Sequence, residues 1–210
     1  MYHSEGEDGA RLAPVAALAS LIRDATAGED LDLELAVFGC DDADTIAGAL
    51  CDFLRARLAP VEDARFYRRS VGVVAGVLLS DGREVVVKVH RWNVSIARLR
   101  AVQQVQAHLA GTGLPAPRPL CPPEPLRSGI ATVEELRGGD FADGHRTPVR
   151  RALAEGLREF IVAAQSFRTL ADLGPPLIVR PPGEPLWPEP HDLRFDFEAT
   201  SEGAEWIDDL

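Results

Sequence analysis

The sequence predicts an α+β fold: a mostly antiparallel sheet of about five strands with a helix packed on it, flanked by further helices at both ends. Three observations predict it. Ala64 to Leu79 is rich in Val, Tyr, Phe and Leu, and Ser80-Asp81-Gly82-Arg83 then supplies a tight hairpin turn. Asp-Gly provides the positive φ values that such a turn demands. After the returning strand, Glu84 to His90, the residues Ile96, Leu99, Val102, Val105 and Leu109 recur at helical spacing. Two more short strands, near Leu120 and over Ile130 to Leu136, follow the proline-stiffened connector Leu114 to Leu120, with a Pro-rich turn between them.

The flanking elements follow in order. Residues 1–10 are acidic and lack an apolar core, so they read as disordered and not as a signal peptide. Leu12, Val15, Leu18, Leu21 and Ile22 predict a helix over residues 11–27. Asp30 to Phe38 alternates Leu31, Leu33, Leu35 and Val37 with acids, the pattern of a half-buried strand. Asp41-Asp42-Ala43-Asp44 caps a helix that runs to Leu58 and is ended by Pro60. Ser95 to Leu109 forms the helix after the hairpin, and Gly111 and Gly113 stop it. Pro148 to Leu170 is a long amphipathic helix with Val149, Leu153, Leu157, Phe160, Ile161 and Ala164 as apolar positions. Seven prolines from Pro175 to Pro190 predict an irregular surface segment, and Ser201 caps a last helix to Leu210. The chain thus divides into a helical extension (1–58), a sheet with its helix (59–137) and a helical segment (138–210).

Composition removes several function classes. A formal net charge of -11 argues against a general nucleic-acid binder, which needs a basic surface. Cys40, Cys51 and Cys121 are far apart with no CxxC spacing, which suggests neither a zinc site nor a disulfide framework. A reducing, cytoplasmic setting is the simplest expectation, and no apolar run approaches a membrane span. The five histidines are scattered and no Gly-x-Ser-x-Gly elbow exists, so hydrolase chemistry finds no constellation.

One residue stands out. Lys88 is the only lysine among 22 basic residues. Lysine is a compact point charge on a flexible stem, whereas arginine is a wide planar fork. A chain that uses arginine everywhere else marks Lys88 as a place where an ammonium is needed. The residue sits inside an apolar strand, Val85-Val86-Val87-Lys88-Val89, an odd place for a charge unless something anionic meets it. The plainer alternative is a one-sided strand with Lys88 on its solvent face.

The order of hairpin, lysine strand, helix, proline connector, strand, Glu134-Glu135-Leu136, Gly138-Gly139 and long helix resembles the small lobe of the protein-kinase-like fold. More specifically, it is similar to the aminoglycoside phosphotransferase and choline kinase-like family over residues 60–170. That resemblance implies phosphoryl transfer from ATP to the hydroxyl of an unspecified small-molecule acceptor. It would place Lys88 on the third strand, against the α- and β-phosphates. The turn in Ser70 to Gly76, with Gly72, would cover the phosphates; a strand with glycines at a bend is the alternative. Val133 to Gly139 would be the hinge between lobes. There the Glu134 carbonyl would meet the exocyclic amine of adenine and the Leu136 N–H a ring nitrogen, with Val133 at the gate. These contacts are made by backbone, so the side chains serve only as position markers.

The family pattern is incomplete in two respects. The fold pairs its strand lysine with a glutamate on the following helix. Here nothing acidic lies between Glu84 and Glu124, and Gln103, Gln104 and Gln106 occupy the region where that glutamate would fall. The catalytic H-x-D-x-x-x-x-N loop is also missing. His191 to Asp196 is off by one residue, no Asn follows Asn93, and Trp206-Ile207-Asp208-Asp209 scrambles the metal motif. The expectation is therefore a truncated member: a nucleotide-binding lobe with the opening of a helical second lobe, catalytically silent alone. Mg²⁺ would be held only by the missing lobe. Apolar surface left uncovered would favour self-association. The alternative is a non-catalytic, nucleotide- or partner-binding regulatory module. In it, the first 58 residues either dock a partner or pack beneath the sheet.

Overall fold

The computed structural model describes residues 5–173 except 92 and 141, and side chains from residue 13 onward, 171 excepted. Three helices come first: α1 (Glu5–Thr26), α2 (Asp32–Phe38) and α3 (Ala43–Arg57). Strands β1 (Val61–Arg69), β2 (Val73–Leu79) and β3 (Glu84–His90) follow, then α4 (Ile96–Gly111). The remaining elements are β4 (Pro119–Leu126), β5 (Gly129–Glu135) and α5 (Thr147–Ala164), with short 3₁₀ turns at Gln165–Phe167 and Ala171–Leu173. The five strands form one sheet in the order β1-β2-β3-β5-β4, and every neighbouring pair is antiparallel. The fold class is α+β as expected. The Pro-rich segment, the helix expected at Ser201 and the two partial catalytic motifs lie outside the described residues.

Strand alternation gives the sheet two different faces. On β3, Val85, Val87 and Val89 point to one side and are fully buried. There they join Ala131 and Val133 of β5, Val73 and Val77 of β2, Leu18 and Ile22 of α1, Val37 of α2, and Ile46, Leu50 and Leu54 of α3 in one cluster. Each valine, leucine and isoleucine among them contributes roughly 1.5–3 kcal/mol on burial. Helices α1, α2 and α3 therefore pack beneath the sheet and share its core. The opposite face is covered in part by α4, which packs on β4 and buries Leu99, Ala101 and Leu109.

Caps and turns follow local chemistry. The Asp42 carboxylate accepts the Thr45 N–H at 2.8 Å to start α3, and the Ser95 hydroxyl accepts the Arg98 N–H at 3.1 Å to start α4. Gly82, at φ +83, closes the β2–β3 hairpin; of the Asp-Gly pair only the glycine takes a positive φ.

Three expectations are corrected. Asp30 to Phe38 is not a strand; it holds helix α2 over Asp32–Phe38. The alternation misleads because Glu34, counted as a solvent-facing acid, is buried together with Leu33, Val37 and Phe38. Residues 5–10, expected to be disordered, belong to α1. The Pro-rich turn before Ile130 is strand: β4 contains Pro119, Pro122, Pro123 and Pro125. It tolerates them because it lies at a sheet edge and its pairing with β5 is interrupted twice. Only residues 127 and 128 form the turn.

Candidate functional site

The antiparallel register of β3 and β5 sets Lys88 opposite Thr132, Val86 opposite Glu134 and His90 opposite Ile130. These six residues share the sheet face away from the main core. Lys88 and Glu134 are diagonal neighbours across the two strands, a separation that long side chains span. The Lys88 ammonium meets the Glu134 carboxylate at 2.5 Å. The other carboxylate oxygen accepts the Gln106 side-chain amide at 3.0 Å. Gln106 comes from α4, so the chain Lys88–Glu134–Gln106 links β3, β5 and the helix.

Exposure is unequal along this chain. The Glu134 side chain is 9% exposed and that of Lys88 35%. The carboxylate is removed from water, while the ammonium keeps a path to solvent. Beside the pair, His90 Nε2 lies 3.1 Å from the Thr132 hydroxyl. Burial first, and the Lys88 charge second, hold the His90 imidazole below the ordinary histidine range, with Glu134 opposing. The ring is therefore neutral at pH 7. A fixed ammonium with solvent access is chemically suited to meet an anion.

The structure places the sequence-derived candidates unevenly. Lys88 lies on the third strand, β3. Glu134 differs from the expectation that its backbone alone matters. Its side chain is buried and ion-paired, and its backbone lies inside the sheet between Val86 and Pro119. The Leu136 N–H donates to the Glu84 carbonyl at 3.0 Å, so a nucleobase nitrogen would have to displace that bond. Val133 is fully buried in the main core, on the face opposite Lys88, because it is one residue out of phase with Glu134. Gly72 lies against β3: a Cβ there would come within 2.5 Å of the Val89 carbonyl oxygen. Close backbone approach accounts for that glycine. Gln106 does reach the site, but it bonds Glu134.

Two cavities flank the site. One, of about 400 Å³, opens at the Glu84 end of β3 between Arg83, Glu84, Leu120, Leu136 and Arg137. The other, of about 420 Å³, lies between α4 and α5, with Val102, Val105, Leu109, Phe160 and Phe167 as walls and Gln106 at its edge. Lys88 lines neither. Among the described residues no group of three His, Cys, Asp or Glu is placed to hold a metal ion, and no helix is long and apolar enough to cross a membrane.

Sequence reasoning sought the partner of Lys88 on the helix and so missed the Glu134 side chain. Period-2 alternation was the available signal: Thr132 and Glu134 share a face, and pairing β3 with β5 brings that face to Lys88. Comparison with models of protein families and with curated proteins returned no match.

Proposed function

We propose that this chain carries the nucleotide-binding lobe of an ATP-dependent phosphotransferase of the aminoglycoside phosphotransferase-like class. In it, Lys88 meets the phosphates and the acceptor is a small-molecule hydroxyl. One observation carries the reading: a lone lysine in the third strand, anchored by a buried carboxylate while its ammonium keeps access to solvent. The order β1-β2-β3-β5-β4, with a helix inserted between β3 and β4, supports a kinase-like small lobe. When bound, ATP would supply the transferable phosphoryl group. This chain's contribution is to hold one positive charge where the phosphates lie and to keep His90, beside it, uncharged. The H-x-D-x-x-x-x-N loop does not occur in the sequence, so the expected behaviour is nucleotide binding without turnover. A cytoplasmic setting, where ATP is abundant, goes with this reading.

Titrating Mg·ATP against the wild type and Lys88→Ala tests it. Loss of a charge-assisted phosphate contact is expected to weaken binding about tenfold or more. Equal binding by both proteins would remove Lys88 from the site.

A second reading has its own observation. Helix α5 exposes Leu153, Leu157, Phe160, Ile161 and Val162, and none of its residues is buried. Such a stripe suits a non-catalytic module that docks a partner or a second copy of itself. Sedimentation showing association of the wild type, together with no detectable binding of Mg·ATP, would favour this reading over the first.

A further inference from the structure

We propose that Glu134 is the residue that positions Lys88 for a phosphate, and that it does so from the sheet and not from helix α4. This inference rests on the nucleotide-binding reading above.

Four observations carry it. Helix α4 has no acid to offer, since none lies between Glu84 and Glu124. The β3–β5 register puts Glu134 on the Lys88 face, two residues beyond the position opposite Lys88. The ion pair is asymmetric in solvent access: the carboxylate is hidden and the ammonium is not. Gln106 occupies the second carboxylate oxygen, which turns the first toward Lys88. A buried carboxylate held at both oxygens has one orientation, so the ammonium attached to it has few.

The location matters as much as the contact. A lysine–glutamate pair bridging strand and helix breaks when the helix moves, and positioning of that helix is a point of control in protein kinases. Here both partners belong to adjacent strands of one sheet. Moving their strands apart requires a slip of register, which would also expose the buried valines of β3. The hydrogen bond from helix α4 to the pair comes from a neutral amide, so displacement of the helix removes that bond and leaves the charge pair in place. Lys88 is thereby held ready at all times.

The lone lysine makes the test direct. The 210-residue chain labelled with ¹³C-lysine gives the side-chain signals of Lys88 and no other lysine. Wild type, Glu134→Gln, Gln106→Ala and the exchange Glu134→Gln with Gln106→Glu would each be titrated with Mg·ATP, reading the dissociation constant and the Lys88 Cε resonance. In the wild type, Mg·ATP is expected to shift that resonance. Glu134→Gln, nearly isosteric, is expected to weaken Mg·ATP about tenfold or more and to broaden or move the free-state resonance. Gln106→Ala is expected to stay within about threefold of wild type, as for loss of one neutral hydrogen bond. The exchange variant, which carries the acid on α4, is expected to remain weak.

Unchanged affinity in Glu134→Gln, a loss in Gln106→Ala as large as in Glu134→Gln, or full recovery in the exchange variant would each overturn the assignment of positioning to Glu134 on the sheet. Absence of Mg·ATP binding by the wild type would instead overturn the nucleotide-binding reading, and this inference with it. Should Glu134→Gln fail to fold, the wild-type resonance and Gln106→Ala still decide, since a Lys88 signal that ignores bound Mg·ATP contradicts the proposal.

Discussion

Each face of the sheet buries one glutamate beside one cation, and the two pairs differ in what surrounds the cation. On the core side, Glu34 of α2 is fully buried, and one of its oxygens accepts both the Arg69 Nε–H at 3.0 Å and the Tyr67 hydroxyl at 3.1 Å. Arg69 is only 16% exposed, donates also to the Asp30 carbonyl, and has the carboxylates of Asp30 and Glu29 at 3.7 and 3.8 Å. Burial, reinforced by the Glu34 charge, pushes the Tyr67 phenol far above its usual range. On the other side, among the described residues, Lys88 pairs with one carboxylate, Glu134, and is 35% exposed. Arginine suits the first place because its fork serves several acceptors at once, and lysine suits the second because a point charge can turn to a new one. An enclosed cation clamps a helix to a strand. A cation with one partner and access to water retains the capacity to bind something else.

That contrast predicts a graded set of effects. Arg69→Ala leaves Glu34 as an uncompensated buried charge and is expected to cost about 3–5 kcal/mol in urea unfolding. A cost below about 1 kcal/mol, the range of surface pairs, would show the cluster to be ornamental. Lys88→Ala leaves Glu134 with Gln106 and nearby solvent, so the expected loss is about 1–2 kcal/mol. A loss as large as that of Arg69→Ala would make the two pairs alike and remove the reason to treat the second as a site. His90 sharpens the comparison through pH. Its folded-state value lies below the ordinary 6.5, so the unfolded chain binds more protons in this range. Its contribution to stability is complete above 6.5 and is lost as pH falls through the folded value. Wild type should therefore lose stability on acidification relative to His90→Asn, and parallel profiles would contradict the burial of the ring. The smallest effect belongs to α5: Leu157, 59% exposed, should tolerate Leu157→Gln within about 0.5 kcal/mol in thermal unfolding.

What could be read from the sequence depended on whether the signal was local. The Asp81-Gly82 turn, the Ser95 cap and the 3.6-residue period of α4 are all written within a few residues, and all appear where expected. The identity of Lys88 was visible from composition alone. What was hidden depended on partners distant along the chain. Glu34 looked like a solvent-facing acid because Tyr67 and Arg69, 33 and 35 residues away, are what bury it. The Glu134 side chain read as a mere position marker in a hinge because only the pairing of β3 with β5 shows which way it points. Prolines in β4 read as a turn because their tolerance depends on strand order, which no window of sequence contains.

The proline-rich β4 has a further consequence for how this protein meets its neighbours. Four of its eight residues lack a backbone N–H, so the rim it presents holds few donors and no regular ladder. A foreign strand approaching that rim finds no template, which suppresses growth of the sheet by copying from one molecule to the next. Lateral assembly is thereby steered away from β4, toward β1 or the helices, and cross-β aggregation loses one of the two rims from which it could begin.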